Sequence, residues 1–115
     1  MDERRRVPRY FADLSATLEP QPSGASHPVQ IEVLSVQGCC LRGENVPESG
    51  RKCLLTLHWR GEVICAGAQV AWKNSQGLAG LRFLDVDQNS SEVLRELCSS
   101  LRLQPLIPWT ARENP

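Results

Sequence analysis

Most of the chain alternates between hydrophobic and polar positions, and a period of two residues predicts half-buried β-strands. In the first such segment, Ala12, Leu14 and Ala16 fall on one face, and Asp13 and Ser15 fall on the other. Further segments of this kind follow at hairpin spacing. The predicted strands cover residues 10–18, 29–35, 39–43, 52–60, 62–74 and 78–86.

The second of these strands contains an acidic residue, Glu32, whose face follows from the alternation. Alternation over 29–35 places Val29, Ile31 and Val33 on one predicted face. Glu32 is therefore expected on the opposite face, unless a β-bulge shifts the strand by one residue.

Runs of proline, glycine and serine separate the strands and predict loops or turns. The segment 19–28 is the densest in these residues, and 44–51 is the second predicted loop. Gly61 and Glu62 indicate a tight hairpin, and Gly67 marks a bulge or bend inside a long strand.

After the last predicted strand the hydrophobic period changes to that of an α-helix. Leu94 and Leu97 belong to a stripe of apolar residues at helical spacing. Ser90 or Ser91 can cap the N-terminus of this helix, and Pro105 is expected to end it.

A chain of 115 residues has room for one domain with a modest core. Antiparallel strands followed by one helix predict a small closed or nearly closed β-barrel, with the helix over an open end or edge. The predicted parts are a flexible arginine-rich arm, the barrel, the C-terminal helix and a tail. They cover residues 1–9, 10–88, 89–104 and 105–115.

The formal net charge is zero, but it hides a cluster of arginines near the N-terminus. Four of the six residues from Arg4 to Arg9 are arginine, whereas Lys52 and Lys73 lie in a body without a basic run. This uneven distribution argues against a broad nucleic-acid surface, so no DNA or RNA partner is expected. The cluster is either a solvated tail or a clamp for a compact anion.

Several other classes of protein are also disfavoured. No apolar segment is long enough to span a membrane, and the charged residues 2–6 do not fit a signal peptide, so a cytoplasmic protein is expected. The five cysteines lack metal-binding spacing and are expected to be mostly small buried residues, so no metal and no cofactor is predicted. No set of catalytic side chains is evident, and the chain is not expected to be an enzyme.

Three short segments, taken in order, resemble the signatures of the PilZ domain family. The run RRRVPR contains the motif Arg-x-x-x-Arg as Arg5 and Arg9, just before the first strand. The segment 33–38 resembles Asp/Asn-x-Ser-x-x-Gly, and 77–87 resembles the last strand of the family. The resemblance covers about residues 4–101, and it implies a six-stranded antiparallel barrel with a C-terminal helix.

The resemblance also implies a ligand, because the best-known ligand of PilZ domains is the bacterial second messenger cyclic di-GMP. An arginine can bond bidentately to phosphate or to guanine O6 and N7, so Arg5 and Arg9 are candidate ligand-binding residues. Arg4 can stack on a second guanine, in which case the site would take a stacked nucleotide pair.

The remaining candidates lie on the predicted barrel. Ser35 can bond a phosphate or a guanine edge, and Gly38 can allow the backbone to approach the ligand closely. Val33 stands where the family usually has Asp or Asn, and it cannot accept a hydrogen bond from a guanine N–H. Trp72 matches a position where several members pack a tryptophan on a guanine, so it can stack on the base or cover the barrel mouth. Lys73 can add charge.

Two functions therefore compete. The first is a cyclic di-GMP receptor whose arm folds over the nucleotide and couples binding to a separate downstream protein. The second is a PilZ-like adaptor that no longer binds nucleotide, which Val33 favours. In that adaptor, Leu106, Ile107 and Trp109 can form a docking patch. Arg82 resembles a scaffold position of the family and is expected to be structural.

Overall fold

The computed structural model of the protein describes residues 7–104. Residues 7–104 form seven strands and one helix. These are β1 (Tyr10–Pro20), β2 (His27–Ser35), β3 (Gly38–Arg42), β4 (Lys52–Trp59), β5 (Glu62–Lys73), β6 (Leu78–Val86), α1 (Gln88–Ser99) and β7 (Arg102–Leu103). Within residues 7–104 no helix is both long enough and apolar enough to cross a membrane.

Antiparallel pairing closes six of the strands into a barrel. Around the barrel the order is β1, β2, β3, β6, β5 and β4, and β4 pairs again with β1. The short strand β7 lies outside this ring and pairs with Tyr10 and Phe11 of β1. The predicted six-stranded barrel with a C-terminal helix is confirmed.

The inward-facing side chains fill the barrel, so its interior is a packed core rather than a channel. Leu94 and Leu97 of α1 belong to the same hydrophobic cluster, which places the helix against the barrel. The largest fully buried barrel side chains include Leu18, Ile31, Leu34, Leu41, Leu55, Leu57, Ile64 and Val70.

The helix begins earlier than predicted, because Asp87 rather than Ser90 or Ser91 is its N-cap. The Asp87 Oδ1 atom accepts a hydrogen bond of 2.7 Å from the backbone N–H of Ser90. Ser90 is itself buried, and its Oγ accepts a 3.1 Å hydrogen bond from the backbone N–H of Cys65. The first turn of α1 is therefore attached to β5, and aspartate satisfies the same cap preference as serine.

The helix also ends earlier than predicted, at Ser99 rather than close to Pro105. The chain turns there and pairs with β1 as the strand β7, which is too short to show a sequence period. The backbone N–H of Gln104 then donates a 2.8 Å hydrogen bond to the carbonyl of Arg9. The segment after the helix is thus tied to the base of the N-terminal arm.

The first long loop is shorter than the predicted segment 19–28, because β1 continues to Pro20 and β2 begins at His27. The Arg51 guanidinium holds this loop by donating to the carbonyls of Gln21 at 2.8 Å and Ser23 at 3.1 Å.

The predicted tight hairpin beside Gly61 is confirmed. Only Arg60 and Gly61 separate β4 from β5, and their φ angles are +53° and +78°. Two positive φ angles match the right-handed twist of the flanking strands. The register of β5 against β6 also shifts between Gly67 and Ala68, which confirms the bulge predicted at that glycine.

The buried thiol of Cys98 makes stability sensitive to alkaline pH. Burial raises the pKa of this thiol from 9.0 to about 11. Because the folded-state pKa is raised, the stabilisation is intact below pH 9 and is lost as the pH rises towards 11. We expect the denaturant midpoint to fall over this range, and to fall less in Cys98→Ala. An equally steep fall in the variant would contradict this prediction.

Candidate functional site

A β-bulge near the end of β2 decides which residues face outward there. Ile31 and Val33 pair with consecutive residues of β3, so Glu32 is the extra residue of the bulge. The bulge turns Val33 outward and places Leu34 in the core, where it is fully buried. The prediction that Val33 shares a face with Ile31 is wrong, because the bulge interrupts the period of two.

The bulged residue Glu32 does not line the site. Its Oε2 atom forms an exposed ion pair of 2.9 Å with Nε of Arg42. Arg42 also donates from Nη1 to the carbonyl of Gln76 at 3.2 Å. The carboxylate nearest to Val33 in sequence is therefore engaged elsewhere on the surface.

Strand register aligns outward-facing residues of β2, β3, β6 and β5 in two parallel rows. Neighbours within each row are directly paired across adjacent strands. The first, which we name the Trp72 row, consists of Val33, Cys40, Gly80 and Trp72. The second, which we name the Arg82 row, consists of Ser35, Gly38, Arg82 and Gln69.

Small residues in the two rows, Cys40 and Gly80 in the first and Ser35 and Gly38 in the second, leave a hollow on the outside of the barrel. A Cβ atom added to Gly80 would lie 2.2 Å from the indole Nε1 of Trp72, so the indole lies across Gly80. Trp72 is 45% exposed, whereas Gly80 is buried beneath it. The resulting cavity, which we name the outer-face cavity, has a volume of about 400 Å³.

The outer-face cavity collects most of the site residues predicted from sequence. Its lining includes Arg9, Val33, Ser35, Gly38 and Trp72. Arg4 and Arg5, and the tail residues Leu106, Ile107 and Trp109, lie outside the described residues 7–104.

Lys73, which was expected to add charge beside Trp72, points to a different place. Its Nζ donates a 2.9 Å hydrogen bond to the carbonyl of Val46. It lines a separate hollow next to the loop at Gly77. Lys73 therefore does not contribute to the outer-face cavity.

Arg82 also belongs to the site, although the sequence pattern indicated only a structural role for it. It lines the outer-face cavity together with Arg9, and no carboxylate is among the described lining residues. Its Nη2 donates a 2.6 Å hydrogen bond to Oε1 of Gln69, which orients the guanidinium. Its pairing with Gly38 could have indicated this position, but only once the register of β3 against β6 was known.

Ser35 and Gly38 shape the wall of the cavity. The Ser35 Oγ accepts hydrogen bonds from the backbone N–H groups of Gln37 at 3.1 Å and Gly38 at 3.2 Å. This side chain therefore holds the tight turn between β2 and β3. A Cβ atom at Gly38 would lie 2.3 Å from the carbonyl oxygen of Leu81, so glycine permits the close pairing with β6. Direct contact of either residue with a ligand stays a prediction.

The remaining polar groups of the cavity are uncharged. Burial, and after it the Glu32 carboxylate, raises the pKa of the Cys40 thiol, while Arg42 and Arg9 oppose the shift. Cys40 therefore presents a neutral thiol, and the exposed Gln37 presents a carboxamide. The arrangement offers two guanidinium groups for an anion and one indole face for a flat ring.

The contact between Gly80 and Trp72 gives a test of how the cavity wall is built. We expect Gly80→Ala to displace the indole of Trp72, because the new methyl group would occupy the position of the indole. The indole can move away by rotation about the side-chain bonds of Trp72. The free energy of unfolding should change by less than about 1 kcal/mol, whereas the indole N–H resonance of Trp72 should shift. A large loss of stability without that shift would contradict this description.

Solved structures of low sequence identity share this fold. The PilZ domain of CeSA from a cellulose-synthesizing bacterium is 12% identical, with a TM-score of 0.66 over 80% of this chain and 95% of that one. The PilZ domain of YcgR from Escherichia coli, solved with c-di-GMP, is 17% identical, with a TM-score of 0.67 over 86% of this chain and 92% of that one.

A third structure, the Bacillus subtilis inhibitor of motility MotI/DgrA, is 17% identical, with a TM-score of 0.69 over 86% of this chain. This chain spans about half of that protein, 51% of its length. No curated protein matches the sequence. The family model described as PilZ domain matches residues 3–100, which is most of the chain. The protein is therefore a member of the PilZ domain family.

Proposed function

We propose that this PilZ domain is a receptor that binds cyclic di-GMP in the outer-face cavity and couples that binding to a downstream protein. The observation that carries the proposal is the placement of Arg9, Arg82 and the Trp72 indole around one hollow. The family is one of cyclic di-GMP receptors, and the similar PilZ domain of YcgR was solved with c-di-GMP.

The chemistry of these three side chains matches the two parts of the ligand. Charge-assisted hydrogen bonds from arginine to phosphate are the strong class, and each contributes about 1.5–3 kcal/mol. Stacking of one base on an aromatic ring contributes about 1–3 kcal/mol. Cyclic di-GMP carries two phosphates and two guanines. In the proposed complex Arg9 and Arg82 bind the phosphates, and Trp72 stacks on a guanine.

The attachment of the base of the arm supports the proposed coupling to a partner. The carbonyl of Arg9 accepts a hydrogen bond from Gln104, and Tyr10 and Phe11 pair with β7. An arm that carries Arg4 and Arg5 over the ligand would therefore act on the segment after α1 as well. The downstream protein recognises this changed surface. The proposal requires no catalytic step.

The site of action in the cell follows from the ligand. Cyclic di-GMP is a bacterial second messenger, so the proposal places the protein in the cytoplasm.

Calorimetric titration with cyclic di-GMP at a fixed salt concentration tests the proposal. We expect saturable binding with a Kd below about 100 µM, which corresponds to about −5.5 kcal/mol. Trp72→Ala should weaken binding by about 5- to 150-fold, because it removes the stacking surface. Arg95→Ala is the control, since Arg95 is exposed on α1 and does not line the cavity.

The second candidate function is a protein-interaction adaptor that does not bind nucleotide. Val33 favours it, because this side chain faces the outer-face cavity and offers no hydrogen-bond acceptor. A titration without saturable heat up to about 100 µM cyclic di-GMP would support the adaptor and overturn the receptor.

A further inference from the structure

A loop replaces β4 along the last part of β5, beside the outer-face cavity. Pairing of β5 with β4 ends at Gln69. Beyond it, residues 44–51, which we name the edge loop, bond to the same edge of β5. The backbone N–H of Gly50 donates to the carbonyl of Val70 at 2.7 Å, and the N–H of Val70 donates to the carbonyl of Arg51 at 3.0 Å. Because an open strand edge leaves backbone groups without partners, the edge loop completes the sheet here.

A β-bulge lies at the point where β5 presents Trp72. Val70 and Trp72 pair with consecutive residues of β6, so Ala71 is the extra residue of this bulge. As a consequence, the three residues from Ala71 to Lys73 are all exposed instead of alternating. The carbonyl of Ala71 accepts a 3.1 Å hydrogen bond from Oγ of Ser49, which belongs to the edge loop. Ser49 therefore supports the backbone that turns Trp72 outward.

One side chain of β5 joins the edge loop to the charged part of the cavity. Nε2 of Gln69 donates a 3.0 Å hydrogen bond to the carbonyl of Gly50. Oε1 of Gln69 accepts the 2.6 Å hydrogen bond from Nη2 of Arg82. The two bonds use opposite ends of one carboxamide, so a flipped carboxamide would meet Arg82 with a donor and Gly50 with an acceptor. Gln69 therefore links the position of the Arg82 guanidinium to that of the edge loop.

We infer that the edge loop positions the outer-face cavity, with Ser49 and Gln69 as positioning residues. Ser49 holds the backbone that carries the Trp72 indole, and Gln69 holds the guanidinium of Arg82. Neither Ser49 nor Gln69 is among the described residues that line the cavity. The inference rests on the proposed function where it concerns ligand affinity, whereas the positioning is measurable without a ligand. Coupling of this kind is reciprocal, so an occupied cavity should also stabilise the edge loop.

NMR spectra of the ligand-free protein test the role of Ser49. We expect Ser49→Ala to shift the indole N–H resonance of Trp72, because the bulge at Ala71 loses a hydrogen bond. Ser49→Thr keeps a hydroxyl at this position and should restore the resonance. Ser26→Ala is the matched control, since Ser26 is exposed in the loop between β1 and β2 and does not line the cavity. An unmoved resonance in Ser49→Ala would overturn the inference.

Amide hydrogen exchange of the ligand-free protein tests the role of Gln69. Gln69→Glu keeps an acceptor for Arg82 but cannot donate to the carbonyl of Gly50. Loss of this hydrogen bond should speed exchange of the Gly50 N–H by about 2- to 12-fold. Arg82→Ala removes the group that orients Gln69 and should speed the same exchange by a smaller factor, whereas Arg95→Ala should not change it. A rate at Gly50 that neither Gln69→Glu nor Arg82→Ala alters would contradict the proposed link.

Titration with cyclic di-GMP separates the inference from the proposed function. Ser49→Ala should weaken binding by about 2- to 12-fold, whereas Ser49→Thr and Ser26→Ala should bind like the unmodified protein. Saturating ligand should slow exchange of the Gly50 N–H. Full affinity in Ser49→Ala, or exchange at Gly50 that the ligand does not change, would overturn the inference and leave the receptor standing. If the unmodified protein does not bind cyclic di-GMP, the proposed function fails, and the ligand-free measurements decide whether the edge loop positions Trp72 and Arg82.

Discussion

Replacing Arg9 and Arg82 together with alanine is expected to lower the affinity for cyclic di-GMP by at least about 100-fold. Both guanidinium groups line the outer-face cavity, and no carboxylate among the described lining residues competes for them. Loss of two charge-assisted contacts removes at least about 3 kcal/mol. Calorimetric titration of the double variant beside the unmodified protein measures the effect.

Two further variants sharpen this prediction. Replacing both residues with lysine keeps the charge but removes the planar fork, so it should recover only part of the lost affinity. Arg95→Ala removes one exposed arginine from α1 and should leave binding unchanged. If the double alanine variant binds within about threefold of the unmodified protein, the phosphates are held elsewhere, and Arg4 and Arg5 become the leading candidates.

Gly38→Ala is expected to lower the free energy of unfolding by about 2–3 kcal/mol. The new Cβ would lie 2.3 Å from the carbonyl oxygen of Leu81 and 3.4 Å from Cα of Arg82. Backbone atoms cannot rotate away as a side chain does, so β3 and β6 must separate and weaken their ladder. Since Gly38 and Arg82 are directly paired, the outer-face cavity should deform as well.

Gly67→Ala is the matched control for this prediction. It also replaces a strand glycine, but its Cβ would lie 3.4 Å from the nearest atoms of Asp85, which is close to ordinary contact. The free energy of unfolding should therefore change by less than about 1 kcal/mol. Chemical denaturation of both variants gives the comparison, and equal stability of Gly38→Ala and the unmodified protein would contradict the argument.

The barrel could be predicted because period-two alternation reports which strands have one face in a core. The strand at residues 78–86 was predicted with the bounds of β6. The bulge at Glu32 could not be predicted, because Leu34 and Val33 are both apolar and either can fill the core. The outward position of Val33 follows from that bulge, so its place in the site required the structure.

Residues of the candidate site could be predicted only where a sequence motif indicates their position in the fold. Ser35 and Gly38 were found by their spacing, but the turn contacts of Ser35 and the close pairing of Gly38 appear only in three dimensions. Arg82 looked structural in the sequence, and strand register brought it beside Gly38. Gly80 also depends on register, because its role is to lie under Trp72.

Mapping cyclic di-GMP onto the isotope-labelled protein by NMR tests the central claim most directly. We predict that the largest shifts fall on the backbone amides of Gly38, Cys40 and Gly80 and on the indole N–H of Trp72, which lie in the two rows of the outer-face cavity. Shifts confined to α1 or to the separate hollow at Gly77, or spectra unchanged at millimolar ligand, would contradict it.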